Sequence, residues 1–432
     1  MIVAVEMGYG HLRAAHTLAE LFGTEITRMD MPPVAGPIET GVWRAARKFY
    51  NALSRACELP LAGRVARQML DKITEIAPLH APAIKEAPNL FTRLADGMTS
   101  TVMGQHFRAM ASSAERPILA TYPVVALAAS HASCARVFCL ATDTDLNRAW
   151  APVNATKVSI NYLAPVKRAA ERLRSFGVPD HRIHVTGFPL PAKLIAQARS
   201  ALARRLHRLD PASAFHKRAP ECIVDLIQRP AAHSPLQPIS MTIAIGGAGA
   251  QTAQVGQLIK SLRGQVASGK ISLTLVAGLR PDVAGILLEM VQSAGLAFRI
   301  GNGIEILHAT DWEDYFRRFE ECLVETDLLW TKPSELVFYA ALGLPLLLAP
   351  PVGGQEHSNR DWLLSHGAAL DVGDPATFGR RFEELLATGE FCRIAWNAYS
   401  RLDRNGSDRI VELFRSSYSS PLQQPLCIAL RS

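Results

Sequence analysis

Four polar residues that follow one another closely have the chemistry to hold the hydroxyl groups of a sugar. Gln355, Glu356, His357 and Asn359 come after Gly354 in a stretch predicted to be a Pro/Gly-rich loop. They supply two amides, a carboxylate and an imidazole, which offer the donors and acceptors that sugar hydroxyls need. The pattern is equally typical of an ordinary polar loop after a strand, and the local sequence leaves both interpretations open.

A candidate phosphate-binding element lies just upstream. Asp327–Trp330 is predicted to be a buried strand, and it is followed by Lys332, Pro333 and a helix that begins with Ser334 and Glu335. Ser334 is a good N-cap candidate, whose hydroxyl would accept from the amides of the first helical turn. A helix that starts at the carboxyl end of a parallel strand presents free N–H groups and its positive dipole end, which suits a phosphate.

His11 is the candidate general base. Met1–Val5 predicts a strand, Gly8-Tyr9-Gly10 a turn, and the residues that follow an amphipathic helix. At a helix start the dipole lowers the pKa of an imidazole and favours the neutral form that a base requires. A histidine in this position is more often a structural cap. The turn lacks the full GxGxxG pattern, so it gives little support to nicotinamide binding.

Two further predicted strands in the N-terminal half of the chain contain or are followed by polar residues that could contact a ligand. Ile118–Ala129, interpreted as a buried strand with a turn, contains Tyr122, and the strand Ala135–Ala141 is followed by Asp143 and Asp145. The carboxyl ends of parallel strands form the ligand-binding edge of α/β proteins. Aspartates there can also cap the next segment through local hydrogen bonds to the backbone.

The second half repeats this organisation. Met241–Ile245 predicts a strand, and the glycine-rich turn after it contains Gly247 and Ala248, where the backbone can approach a phosphate or sugar closely. A further strand, Ser272–Val276, precedes Arg280. Glycine turns thus open both halves at equivalent places, which predicts an α/β protein with two Rossmann-like, doubly wound domains facing across a cleft.

The predicted domains follow changes in composition. Residues 1–190 form the first domain, 191–238 a basic and Pro/Ala-rich connection, 239–414 the second domain, and 415–432 a tail without periodicity. A length of 432 residues suits two domains of ordinary size. Since 48% of the residues are hydrophobic and 20% charged, the chain can bury substantial cores and is not globally disordered.

The net charge limits the classes of binding partner, and the cysteine content indicates the cellular compartment. A net charge of +7 is compatible with phosphorylated ligands or anionic surfaces, and no zinc finger, ribonucleoprotein strand or arginine-rich arm indicates a nucleic-acid partner. Basic and aromatic residues alternate in the helical segment 41–76, which predicts either contact with an anionic membrane or a solvated basic face. Seven cysteines without a CxxC pair or metal-ligand spacing suit a reduced, cytoplasmic protein.

These motifs, in this order, resemble the GT-B glycosyltransferases. Among them the chain is most similar to the diacylglycerol glycosyltransferases, such as monogalactosyldiacylglycerol synthase, and to the lipid-linked N-acetylglucosamine transferases. The resemblance covers most of residues 1–375. It rests on Gly8-Tyr9-Gly10-His11, Thr121-Tyr122-Pro123, Thr142-Asp143 with Trp150, Arg182–Pro189, Gly246-Gly247, Thr331-Lys332-Pro333, and Gly354-Gln355-Glu356 with Asn359.

The resemblance implies an inverting glycosyltransferase that moves a sugar from a nucleotide-sugar, UDP-linked, to a lipid or lipid-linked acceptor without a metal or other cofactor. The first domain would bind the acceptor, with His11 and Asp143 as catalytic residues. Its acceptor-side residues would be Gly8, Gly10, Tyr122 and Asp145. The second domain would bind the donor through Gly247, Ala248, Arg280, Lys332, Ser334, Glu335, Gly354, Gln355, Glu356 and Asn359.

Two alternatives stay open. A nucleotide-sugar epimerase would use the same fold and the same donor site. A non-catalytic GT-B protein that serves as a binding or scaffolding partner would explain Phe338, which stands where the family has a ribose-binding glutamate; the nearest carboxylate here is Glu335. The presence of His11 and of the Gly354–Glu356 motif favours an enzyme.

Overall fold

The computed structural model describes residues 1–57, 63–79, 86–101, 103–112, 117–132, 136–157, 159–219, 237–244 and 251–419. Within these ranges the chain forms two six-stranded sheets, and neighbouring strands are parallel in both. The first sheet contains β1 (Ile2–Ala4), β2 (Ile26–Arg28), β3 (Ile118–Ala120), β4 (Val137–Leu140), β5 (Ile160–Ala164) and β6 (Ile183–Val185). The second contains β7 (Ile239–Ala244), β8 (Ile271–Gly278), β9 (Ile304–His308), β10 (Leu328–Thr331), β11 (Leu346–Leu348) and β12 (Ala369–Asp371).

Helices occupy the connections between the strands, as parallel pairing requires. Those before β7 are α1 (Tyr9–Phe22), α2 (Pro37–Ala56), α3 (Gly63–Ile73), α4 (Leu90–Thr101), α5 (Gln105–Ser112), α6 (Pro123–His131), α7 (Lys167–Ser175) and α8 (Ala192–Arg208). Those after β7 are α9 (Thr252–Ser261), α10 (Arg263–Ala267), α11 (Pro281–Ser293), α12 (Trp312–Glu325), α13 (Gly354–Ser365), α14 (Phe378–Ala387), α15 (Glu390–Arg401) and α16 (Gly406–Ser419). A 3-10 helix, Glu335–Leu342, joins β10 to β11.

The order of the strands determines where a ligand can bind. The sheets run β2-β1-β3-β4-β5-β6 and β12-β11-β10-β7-β8-β9, so the direction of winding reverses between β1 and β3 and between β7 and β10. In open parallel sheets the crevice for ligands lies beyond the carboxyl ends of the strands at such a reversal. The Gly8 turn and Tyr122 follow the first pair of strands, and Lys332 follows β10. The predicted pair of doubly wound α/β domains is confirmed.

The hydrophobic core continues from one domain into the other. One cluster of buried side chains includes residues of β1 and α1 together with residues of β10, β11 and the 3-10 helix. Within it the rings of Phe188 and Phe338 stack with centroids 4.5 Å apart and planes 12° apart. Phe338 therefore packs the two domains together and has a hydrophobic role where the resembled family has a glutamate.

The structure corrects one predicted segment and gives the helix bounds within two others. The run Ile118–Ala129 divides into β3 and α6, because Pro123 suits the first turn of a helix. The predicted connection 191–238 contains α8, whose Arg205 donates to three backbone carbonyls of the second domain at 2.8 to 3.0 Å. The last helix continues to Ser419, beyond the predicted end at 414, and Phe414 packs 4.5 Å from Phe138 in the first domain.

Parts of the predicted connection and tail, residues 220–236 and 420–432, lie outside the described ranges. Among the helices of the described ranges, none is both long and apolar enough to span a membrane.

Candidate active site

A cavity of about 300 Å³ lies between the two domains, beside the points where both sheets reverse. Its size is at the lower end of the range for small-molecule sites. Residues from both domains form its wall, which matches the predicted cleft. The wall includes most of the site residues predicted from the sequence: Gly8, Gly10, His11, Tyr122, Asp143, Lys332, Ser334, Glu335, Gln355 and Glu356.

His11 lies in the first turn of α1, in the cavity wall, with a fixed tautomer. Its Nδ1 is 2.6 Å from the backbone oxygen of Thr121. A carbonyl oxygen can only accept, so Nδ1 carries the proton of the neutral ring and Nε2 is left as an acceptor. Nε2 has no hydrogen bond to a residue of the described ranges. The ring of Tyr122 packs edge to face against the imidazole, with centroids 4.8 Å apart, and holds its orientation.

The imidazole of His11 is neutral at neutral pH. Burial lowers its pKa to about 4, and the hydrogen bond to Thr121 and the nearby Glu335 carboxylate oppose this shift only in part. The sequence predicted a lowered pKa from the helix dipole; in the structure the main cause is burial. In its neutral form, His11 offers Nε2 as a hydrogen-bond acceptor towards the cavity.

Asp143 supplies a second ionisable group in the cavity wall. Burial raises its pKa to about 6; the Asn359 hydrogen bond opposes the rise, and the carboxylates of Glu335 and Glu356 add to it. A carboxyl group that titrates near neutral pH can both accept and donate a proton. The cavity thus holds two groups suited to proton transfer.

Asn359 joins the two domains and does not line the cavity. Its side-chain NH2 donates to Oδ1 of Asp143 at 2.9 Å and to the backbone oxygen of Pro333 at 3.1 Å. Its Oδ1 accepts from the backbone N and the hydroxyl of Thr144, both at 2.8 Å. All four hydrogen-bonding positions of this fully buried amide are occupied. The predicted sugar contact is therefore replaced by a positioning role for Asp143.

Lys332 and Glu356 form an ion pair on the donor side of the cavity. Lys332 Nζ is 2.7 Å from Oε1 of Glu356, and Oε2 accepts from the backbone N of Val352 at 2.9 Å. Burial alone would lower the pKa of Lys332, but the Glu356 carboxylate raises it above its ordinary value, so the ammonium stays protonated. An ammonium has three N–H donors and each carboxylate oxygen two lone pairs, so the pair keeps capacity for a ligand.

Glu335 is held in the cavity wall by an arginine of the first domain. Arg13 Nε lies 3.3 Å from Oε1 of Glu335, and both side chains are buried. The same guanidinium donates to the Tyr315 hydroxyl at 3.3 Å. Helix α1 can approach this closely because residue 10 is glycine: a Cβ on Gly10 would lie 2.7 Å from Oε2 of Glu335. The sequence predicted Glu335 but missed Arg13, which looked like one more charge on an amphipathic helix.

The residues Gly354 to Asn359 begin helix α13, and the predicted loop is corrected. The backbone N of Gly354 donates to the Thr74 hydroxyl at 2.9 Å, and a Cβ on Gly354 would collide with the backbone oxygen of Thr74. Gly354 itself therefore contacts the residue that follows α3 and is absent from the cavity wall. Gln355, one residue further, is half-buried in the wall, and its amide has no hydrogen bond to a described residue. The Gln355 amide is therefore available to a ligand.

Ser334 lies in the cavity wall without the predicted capping bond. The segment after it is a 3-10 helix, and the Ser334 hydroxyl makes no hydrogen bond to the first turn. Its backbone oxygen accepts instead from the backbone N of Val337 at 3.0 Å. The hydroxyl is consequently not used for capping.

Besides Asn359 and Gly354, two more predicted residues lie outside the cavity wall. Asp145 is fully buried between Arg172 Nε at 2.8 Å and Arg168 Nε at 2.7 Å, so its predicted acceptor-side role is corrected to a structural ion-pair cluster. Arg280 pairs with Asp282, with Nε 3.1 Å from Oδ1. A diphosphate would have to compete with that carboxylate.

Gly247 and Ala248 lie outside the described residues, so their predicted donor contacts stay predictions.

The cavity wall also contains residues that the sequence analysis did not single out for the site: Arg13, Tyr50, Asn51, Thr74 and Tyr315. Tyr50 and Asn51 come from α2 and Thr74 follows α3, so the predicted basic segment 41–76 forms one side of the cavity. The available signal was the aromatic content of that segment. The segment 41–76 comes close to His11 because of how the intervening chain folds, and no local sequence pattern predicts that contact.

Comparisons with known proteins agree with this architecture. No family model matches the chain. Over 274 residues it is 23% identical to the processive diacylglycerol beta-glucosyltransferase of Bacillus subtilis, a match that covers 62% of this chain and 58% of the relative's length. The structure of Staphylococcus aureus MnaA with UDP aligns over 98% of both chains with a TM-score of 0.50 and 12% identity.

A weaker structural likeness involves the UDP-GlcNAc 2-epimerase of Neisseria meningitidis, at a TM-score of 0.47 and 13% identity over 96% of this chain and all of that one. At such identities structural likeness speaks for the fold alone. The described sheets and the full-length alignment to the Staphylococcus protein agree with two facing Rossmann-like domains. The chain accordingly has a GT-B fold and, in sequence, resembles the lipid glycosyltransferases.

Proposed function

We propose that this protein transfers a sugar from a nucleotide-sugar to a lipid or lipid-linked acceptor, with inversion at the anomeric carbon. The observation that carries the proposal is one cavity whose wall combines a neutral His11, with Nε2 unpartnered in the described ranges, and the polar groups of Gln355 and Glu356. The Bacillus relative acts, by its name, on diacylglycerol, and the Staphylococcus protein binds UDP. The first supports a lipid acceptor, and the second supports a UDP-sugar as donor.

The donor would bind along the second domain. Gln355 and the Lys332–Glu356 pair would hold sugar hydroxyls, and Ser334 with the first amides of the 3-10 helix would hold the diphosphate. The carboxylates Glu335 and Glu356 are already paired with cations, so they add little net negative charge against the phosphates. Backbone N–H groups and Lys332 would stabilise the leaving diphosphate, and the transfer would need no metal.

His11 would activate the acceptor. As the acceptor oxygen forms its bond to the anomeric carbon, the bond from that carbon to the diphosphate oxygen breaks, and the acceptor proton passes to Nε2 of His11. The pKa of about 4 would make a poor base in the empty protein, but a bound diphosphate favours the imidazolium and raises that pKa. Asp143, fixed by Asn359, would orient the acceptor or receive the proton.

A membrane surface would bring the acceptor to this cavity. Helices α2 and α3 expose apolar side chains, with Phe49 54%, Val65 67% and Met69 46% accessible, next to the exposed cations Lys48 and Arg64. Apolar and basic residues side by side are typical of surfaces that lie on anionic lipid. Because α2 also contributes to the cavity wall, a protein docked in this way would place its cavity near the lipid.

The donor is identified by calorimetric titration with a panel of UDP-, GDP- and TDP-linked hexoses, followed by assays with diacylglycerol in mixed micelles. We expect saturable binding of a UDP-sugar and a glycolipid product of inverted configuration. Lack of binding for every nucleotide-sugar would contradict the proposal. Incubation with donor alone separates the epimerase alternative, which predicts an altered sugar without an acceptor.

Membrane contact is tested by co-sedimentation with phosphatidylcholine vesicles that contain or lack phosphatidylglycerol. We expect binding only to the anionic vesicles, reduced by Phe49→Ser and by Val65→Ser. Phe298→Ser is the matched control, because Phe298 is 65% exposed but belongs to the second domain. Equal effects of Phe298→Ser and Phe49→Ser would exclude a specific role for α2 and α3.

A further inference from the structure

A second cluster of ionisable side chains lies outside the cavity, where α1 of the first domain faces α12 of the second. His16 and Glu20 are one turn apart on α1, and His16 Nε2 is 3.5 Å from Oε1 of Glu20. Glu320 of α12 completes the cluster: one candidate ligand atom from each of the three residues lies within 4.8 Å of the others. The set therefore bridges the two domains.

Glu320 is a buried carboxylate without a partner in the described part of the chain. Its side chain is only 6% exposed, and no hydrogen bond or ion pair joins it to a residue of those ranges. The charges of Arg13 and Lys193 act on Glu320, but both cations form their ion pairs with other carboxylates: Arg13 with Glu335 and Lys193 with Glu321. A buried acceptor of this kind is normally satisfied by a donor or a cation.

The geometry of the cluster suits a small divalent cation. Residues four apart on a helix project from the same face, so His16 and Glu20 can act as a chelating pair. The ring of His16 is held by Phe316, with centroids 5.0 Å apart. Metal–ligand bonds of about 2.0–2.2 Å in a tetrahedral zinc site place the ligand atoms about 3.4 Å from each other. The 3.5 Å between His16 and Glu20 agrees with that spacing, and the Glu320 oxygen, within 4.8 Å of both, would move closer when a metal binds.

We propose that His16, Glu20 and Glu320 bind one first-row divalent metal ion, with an imidazole nitrogen, two carboxylate oxygens and water as ligands. This ligand set suits Zn²⁺, for which three protein ligands and a water are common. The metal would tie α1 to α12 and so fix the helix that carries His11 and Arg13. The site is separate from the cavity, and the inference does not rest on the proposed function.

The test uses the full chain, freed of metal with a chelator. Zn²⁺ is titrated in competition with a chromogenic zinc indicator, and the same titration is repeated with Glu320→Gln and His16→Gln. His131→Gln is the matched control, because His131 lies outside the cluster and pairs with Asp96, with Nε2 3.4 Å from Oδ1. We expect one bound Zn²⁺ in the unmodified protein and in the control, and an affinity lower by about tenfold or more in both site variants.

Two further measurements separate this site from metal binding by cysteines and from binding that does not stabilise the fold. Co²⁺ in the site should give the d–d absorption of a nitrogen- and oxygen-ligated ion without a thiolate charge-transfer band; such a band would assign the metal to cysteines and overturn the proposal. Zn²⁺ should raise the thermal unfolding midpoint of the unmodified protein and of His131→Gln but not of His16→Gln. Absence of binding, or equal binding by His16→Gln and the unmodified protein, would also overturn it, even if Glu320→Gln failed to fold.

Discussion

The substitution Asn359→Ala removes the amide that connects the two domains and tests the positioning role assigned to it. The change takes one donor from Asp143, one from the Pro333 carbonyl, and the acceptor of the Thr144 N–H and hydroxyl. Asn359 and Thr144 are fully buried, so the Thr144 N–H and hydroxyl do not reach bulk water in the folded state, whereas Asp143 borders the cavity.

The size of the effect follows from the groups left without partners. Each buried polar group that loses its hydrogen bond costs about 1–3 kcal/mol, and water in the vacated volume would satisfy some of them. We therefore expect the free energy of unfolding to fall by about 2–4 kcal/mol. Loss of the hydrogen bond from Asn359, which lowers the pKa of Asp143, should also raise that pKa further above about 6.

Chemical denaturation monitored by tryptophan fluorescence measures the first effect. Asn161→Ala is the matched control: Asn161 is half-buried and makes one hydrogen bond of 3.4 Å to Val137, so its loss should cost below about 1 kcal/mol. If Asn359→Ala were no more destabilising than Asn161→Ala, the link between the domains through Asn359 would be refuted.

The remaining predictions concern pH and packing. His11 has a pKa that falls from 6.5 to about 4 on folding, so its contribution to stability is present above 6.5 and is lost as the pH falls through 4. Asp143 has a pKa that rises from 3.8 to about 6, so its contribution is present below 3.8 and is lost as the pH rises through 6. As the pH rises from 4 to 6, His11→Gln should become less stable relative to the unmodified protein, and Asp143→Asn more stable. Chemical denaturation at several pH values measures the difference in unfolding free energy for each variant. If both differences changed with pH in the same direction, these pKa shifts would be contradicted. Phe338→Ala removes a ring stacked on Phe188 and should cost about 3–5 kcal/mol of unfolding free energy without weakening donor binding. Lys332→Gln, which removes the cation assigned to the leaving diphosphate, should weaken donor binding. Calorimetry on both variants measures this contrast, which fails if Phe338→Ala weakens binding and Lys332→Gln does not.

The sequence was sufficient for the features that depend on short-range pattern. Apolar runs followed by glycine turns, as at Met1–Gly10, predicted two parallel α/β domains, because buried parallel strands are continuously apolar. The expectation that polar residues at the strand ends meet in one cleft placed His11, Asp143 and Gln355 in a common wall. Parallel strands share one carboxyl edge, so that inference needs no knowledge of tertiary contacts.

Features that depend on contacts between residues far apart in the chain could not be predicted from the sequence. The helical start at Gly354 depends on the Thr74 hydroxyl, which comes from the other domain. Asn359 and Asp145 have the residue types of a sugar site, but one is saturated by Thr144 and Asp143 and the other by two arginines. Whether a polar side chain is free for a ligand depends on which partners the fold brings to it. The local sequence pattern around that residue does not show those partners.

We propose that two residues of one cavity have different roles: His11 acts on the acceptor, and Gln355 holds the donor. The most direct measurement is the donor dissociation constant and the turnover number of His11→Ala and Gln355→Ala, with the UDP-sugar found by the panel. Loss of a general base predicts a turnover lower by about 10²-fold or more in His11→Ala with donor affinity preserved. Loss of a donor contact predicts weaker donor binding in Gln355→Ala. If both variants weakened binding and turnover to the same extent, or if His11→Ala kept full turnover, the account would be contradicted.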